Sequence, residues 1–151
     1  MRTNCIITGT CMVALAACGG GGGGSTGPVD ATVNGSWTGT VTNVTGSGVT
    51  CNMTGVVMNL AQADTTFTGS YTVTHLTCVG PGGTQNGGPF AGTIANGTIV
   101  NANVAFDMDT PEIHFTGTKS GNRLTGSTVW TLDLGPPTGV VVLTGSWTAS
   151  R

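Results

Sequence analysis

Beyond Val29, apolar residues recur at every second position, and Thr, Ser and Asn fill most of the places between them. A period of two marks strands with one buried and one wetted face, and no stretch carries a convincing helical period. Turn residues divide the pattern into eight predicted strands: Ser36–Asn43, Asn52–Ala61, Thr66–Thr77, Pro89–Ala95, Thr98–Met108, Glu112–Ser120, Arg123–Asp133 and Val140–Ser150. Parity turns Trp37 and Val41 inward, then Val56, Met58 and Leu60, then Phe67, Tyr71 and Val73. Further along it does the same for Phe90, Ile94, Val100, Val104, Phe106, Ile113, Phe115, Leu124, Trp130, Leu132, Val141, Leu143 and Trp147. A weak repeat runs through these strands, as in Phe67-Thr-Gly-Ser-Tyr71 and Phe115-Thr-Gly-Thr-Lys119, with spacing too irregular for a solenoid or propeller.

Register follows, because a one-residue slip turns a strand inside out. A Gly121-Asn122 turn pairs Phe115 with Thr128 and Ile113 with Trp130. A turn at Asp64-Thr65 pairs Met58 with Tyr71 and Val56 with Val73, and sets Cys51 opposite Cys78 on the outer face. A three-residue loop Ala95-Asn96-Gly97, with Gly97 at positive φ, keeps Val104 and Phe106 inside. The connections Val44–Cys51, Val79–Gly88, Asp109–Glu112 and Gly135–Gly139 are predicted as the longer loops, all at one end. The expected fold is an all-β, eight-stranded antiparallel up-and-down barrel, whose closure removes exposed strand edges. A β-sandwich is the alternative.

Charged residues make up only 7% of the chain, and its net charge is −2. That weak acidity disfavours a nucleic-acid partner. The N-terminus changes the picture more. Met1-Arg2, a short interrupted apolar run and Leu15-Ala16-Ala17-Cys18 resemble the signal peptide and lipobox of a bacterial lipoprotein. The resemblance implies a signal over residues 1–17, a lipidated Cys18, a Gly-rich tether over residues 18–33 and a folded domain over residues 34–151. Gly19, where an Asp is absent, implies outer-membrane sorting in enteric-type bacteria. With Cys5 and Cys11 removed and Cys18 acylated, Cys51 and Cys78 are the pair left to bridge in a compartment that permits disulfides.

Gly35-Ser36-Trp37 opens the first predicted strand, and Trp147 and Arg151 close the last. This resembles the lipocalin and avidin superfamily, the calycins, in which a G-x-W on the first strand packs beneath a basic residue of the last. The resemblance implies a small ligand-binding barrel with Arg151 stacked on Trp37 by a cation–π contact. The alternative is an exposed C-terminal Arg and an ordinary core Trp. The other lipocalin signatures and the biotin-contacting set of avidins are not recognisable, so ligand identity does not carry over.

Candidate chemistry is sparse. Inward glycines at Gly39, Gly69, Gly92, Gly117, Gly126 and Gly145 suggest either a hollow for an apolar ligand or strongly curved strands with aromatics filling the space. Trp130, predicted across from Gly145, favours filling. Asp107, Asp109, Glu112 and Asp133 gather near the longer loops, as a mouth for a ligand or cation or as a solvated rim. They could serve a glycosidase only at a catalytic separation that spacing does not set. His75 is predicted to face inward and His114 outward, neither with metal-ligand spacing. No cysteine is left as a nucleophile, so an enzyme is not expected and no cofactor is implied. Lys119, Arg123 and Arg151 lie near the tethered end, where they would face an anionic membrane surface. The expected function is that of a membrane-anchored, non-catalytic binding module for a small apolar ligand. The alternative is a structural or assembly lipoprotein with a filled barrel that meets another envelope protein.

Overall fold

The computed structural model describes residues 32–109, 112–133 and 139–151, so the proposed signal, the lipidated Cys18 and most of the tether lie outside the described residues. Ten strands are described: β1 Gly35–Gly46, β2 Val49–Ala63, β3 Thr66–Val73, β4 His75–Gly80, β5 Gly83–Gly87, β6 Phe90–Val100, β7 Asn103–Asp109, β8 Glu112–Ser120, β9 Arg123–Asp133 and β10 Val140–Ser150. The sheet runs β1-β10-β9-β8-β7-β6-β3-β2, and β2 pairs back onto β1. The result is a closed, eight-stranded, antiparallel β-barrel, a fold consistent with the lipocalin and avidin type. The remaining two strands stand outside the ring. β4 continues β3 beyond Thr74 on the same partner strand β2, and β5 precedes β6 beyond Gly88-Pro89. Together they raise a hairpin flap above the rim, where a plain Val79–Gly88 loop was expected.

Hairpin registers follow the turn chemistry at two places. β8 and β9 pair Phe115 with Thr128 and Ile113 with Trp130 around Gly121-Asn122. β2 and β3 pair Met58 with Tyr71, and the same register continues onto β4, where Cys51 meets Cys78. A disulfide joins those two residues.

Three left-handed residues break the strict alternation and account for most departures from expectation. Asn43 (φ 53°), Gly55 (φ 63°) and Asn96 (φ 53°) each insert one extra residue between inward positions. The buried side chains therefore step by three there: Val41 to Val44, Met53 to Val56, and Ile94 to Gly97. Cys51 is accordingly 1% exposed and joins the core, whereas continuous alternation had placed it on the outer face. His75 turns outward by the same flip, not inward. The predicted loop Ala95-Asn96-Gly97 is a bulge inside β6, and the actual turn is Asn101-Ala102 with Asn101 at φ 57°. Ile99 is thereby buried, and Val100 is 55% exposed where it was expected inside. The connection from β1 to β2 is also a tight turn, because Ser47 (φ 49°) and Gly48 (φ 78°) both take the left-handed conformation that matches strand twist. A long Val44–Cys51 loop does not form.

Side chains fill the barrel. Phe106 stacks on Phe115 at 4.7 Å between ring centroids, and Trp147 meets both edge-on at 5.4 and 5.6 Å. Phe67 packs against Phe106 at 5.9 Å. Trp37, Tyr71 and Trp130 are each at most 1% exposed. The inward glycines let neighbouring strands come close. A Cβ on Gly126 would sit 2.5 Å from Gly117 Cα and would also strike Thr116 O. Backbone thus occupies the space a side chain would need. Between β9 and β10 the register sets Trp130 opposite Leu143 and Thr128 opposite Gly145, in place of the predicted Trp130–Gly145 pair.

Candidate functional site

Val33, with 0% exposure, closes the barrel end where the chain enters. Its N–H donates to Gln62 Oε1 at 2.6 Å, and its carbonyl accepts from Trp37 Nε1 at 2.7 Å. Arg151 covers the same end. Its guanidinium lies 4.7 Å from the Trp37 ring centroid and donates to Asn34 O at 2.5 Å. Gly35 reaches φ 115° between Asn34 and Trp37, and an added Cβ there would meet Arg151 Nη1 at 3.7 Å. Gly35, Trp37 and Arg151 therefore form a structural plug; their polar groups are spent on the chain itself.

The expected cationic membrane face does not assemble at this end. Lys119 is 3% exposed and points into the barrel. It occupies the fifth place of the repeat Phe115-Thr-Gly-Thr-Lys119, where the sister segments carry Tyr71, Ile94 and Trp147. Its burial was therefore legible in the repeat. Arg151 is engaged with Trp37 and Asn34, and Arg123 is exposed.

A shallow groove of about 520 Å³ crosses β6 to β9 on the outer wall. Asp107 and Glu112 line it with Asn96, His114, Val129 and Thr131. The left-handed bulge at Asn96 turns its amide towards β7, and Asn96 Nδ2 donates to Asp107 Oδ2 at 2.9 Å. Asp107 and His114 are direct cross-strand partners, and His114 Nδ1 lies 2.5 Å from Asp107 Oδ1. Partial burial pushes the pKa of Asp107 up, but the hydrogen bonds from Asn96 and His114 and the electrostatic attraction of His114 outweigh it. The carboxyl is held below the ordinary carboxylate value.

The acidic residues are thus divided. Asp107 and Glu112 share the groove on the outside of the wall, not an opening into the interior. Asp109 pairs with Glu112 through the backbone at the end of β7, and Asp133 sits opposite Val140 at the end of β9. Among the described residues, no group of three or more His, Cys, Asp and Glu is placed to hold a metal ion. Asn96 was missed as a site residue because a turn was expected there, and Val129 and Thr131 because they face outward. The groove offers a fixed carboxylate, an oriented imidazole and a small apolar step, a surface suited to polar recognition.

A carboxyl whose pKa is depressed in the folded state adds stability above its unfolded pKa, and loses it as pH falls through the folded pKa. Replacing Asp107 with Asn should therefore flatten the acid limb of the stability curve below the ordinary carboxylate range. The change should be small, because the side chain is 32% exposed and solvent screens it. Urea titrations of both proteins from neutral to acid pH measure it.

Comparison with family models, with curated proteins and with solved structures yields no match.

Proposed function

We propose that this is a lipid-anchored, non-catalytic module of the bacterial cell envelope, probing its surroundings with the outside of a filled barrel. The observation that carries the reading is the packed interior: the Phe67, Phe106, Phe115 and Trp147 cluster occupies the place where a calycin-type ligand would sit. Recognition then falls to the outer surface and the rim. The lipobox-like Leu15-Ala16-Ala17-Cys18 supports export and a diacylglyceryl anchor, and Gly19 supports the outer membrane as the address. The chain enters the barrel at the plugged end, so the flap and the acidic strand ends would point away from the lipid surface.

A small apolar ligand remains the second reading, on one observation. The buried Trp130 Nε1 has no hydrogen-bond partner among the described residues, and a ligand acceptor would supply one. Thermal denaturation with a panel of apolar small molecules separates the two. A ligand at a hundred times its Kd stabilises by about 2.7 kcal/mol. The proposal expects no such stabilisation, Cys18-dependent membrane retention with signal cleavage that globomycin blocks, and specific cross-linking to another envelope protein. Stabilisation with quenched tryptophan fluorescence would replace it with the second reading.

A further inference from the structure

Closure hides the edges of the barrel, yet the flap leaves one open. β5 pairs with β4 on one side and ends the sheet on the other. An unpaired strand edge presents backbone N–H and C=O groups in a row, and the chemistry that satisfies them is another extended strand. Natural proteins guard such edges with Lys, Pro, bulges or inward charges. Gly83-Thr84-Gln85-Asn86-Gly87 carries none of these, and no Asp, Glu, Lys or Arg occurs between Asp64 and Asp107.

We propose that β5 is a self-pairing edge, and that two copies of the chain join their flaps through an antiparallel β5–β5 ladder centred on Gln85. The segment is complementary to itself in that arrangement. A two-fold axis at Gln85 sets Thr84 opposite Asn86 of the second copy, and Gly83 opposite its Gly87. All pairs are neutral, so two flaps approach without like-charge repulsion. Asn86 Oδ1 accepts from Thr77 Oγ1 at 3.1 Å, so in the ladder its amide NH2 would be the group that donates to the facing Thr84 hydroxyl. Val79, opposite Thr84 on β4 and 49% exposed, lies on the same face and adds apolar contact beside the seam. The Cys51–Cys78 bridge ties β4 to β2, so the joined sheet would be continuous from one core to the other.

The inference goes beyond the proposed envelope function and does not need it. Sedimentation of the purified full-length chain in mild detergent over a wide concentration range tests it with two variants. Thr84→Lys/Asn86→Lys places like charges directly opposite at both pairs, and should weaken the dimer at least about tenfold. Thr84→Glu/Asn86→Lys places opposite charges there, and should restore it. Unchanged far-ultraviolet circular dichroism shows that both variants remain folded, since these side chains stand outside the barrel wall. A wild-type chain that stays monomeric throughout overturns the proposal, as does a dimer indifferent to the double lysine variant. Those results would leave membrane anchoring and capture of another envelope protein to stand or fall separately.

Discussion

Phe106→Ala is expected to cost about 3–5 kcal/mol, among the largest effects of any single truncation in the barrel. Phe106 is 1% exposed and touches Phe67, Phe115 and Trp147 at once. Removing the ring takes away both its transfer free energy and the aromatic contacts of three neighbours. The space cannot refill cheaply. The wall around it is a closed ladder, and at Gly117 and Gly126 the strand backbones are already nearly in contact. A cavity therefore persists, which places the cost towards the upper part of the range. Val100→Ala, at the end of the neighbouring strand β6 and 55% exposed, should change stability by no more than about 0.5 kcal/mol. Urea unfolding followed by tryptophan fluorescence measures both, and the Phe106 variant should also blunt the near-ultraviolet circular dichroism of Trp147. A cost under about 1 kcal/mol would mean that the interior is looser than the ring contacts describe.

Removing the Cys51–Cys78 bridge by double replacement with Ala should destabilise the protein by about 3–4 kcal/mol in the chain-entropy account. The two residues are 27 apart in sequence. The bridge holds the first half of β2 against β4, at the base of the flap. Its loss should therefore act unevenly. Amides of β4 and β5 should exchange with solvent much faster, while β8 and β9, which the bridge does not touch, should change only through the global stability. Cys51 is buried and Cys78 half-buried, so mild reductant should open the bond slowly in the folded protein. Chemical denaturation and hydrogen exchange of the two forms supply the test. Equal loss of protection throughout would show that the flap and barrel unfold as one unit.

Much of this fold could be read from spacing because alternation is local physics. A strand with one wetted face must alternate, so Ile113, Phe115, Leu124 and Trp130 declare their direction wherever two strands flank a short turn. The Asp64-Thr65 turn carried the same logic as far as the cysteine pair. Parity failed where one residue enters the left-handed region. Val41-Thr-Asn43-Val44, Met53-Thr-Gly55-Val56 and Ile94-Ala-Asn96-Gly97 all show an inward step of three with Asn or Gly inside it. That signature was present, but it is indistinguishable from a turn until partner strands are known. The misplaced turn at Asn96-Gly97 has this origin, as do the wrong faces given to Cys51, His75 and Val100. The candidate site was less legible. Asp107 and Glu112 were named, but their meeting with Asn96 and His114 on the outer wall depends on pairings among four strands.

Residue order alone set the strand-rich class, the inward faces between bulges, two hairpin registers and the cysteine partnership, since each depends on neighbours a few positions away or one turn apart. Closure of β1 onto both β2 and β10, the burial of Val33 beneath the Trp37–Arg151 pair, and the open edge of β5 came from the folded whole. Those features arise where distant segments compete for the same volume and the same backbone hydrogen bonds. A period along one strand cannot report which of several strands will win that competition.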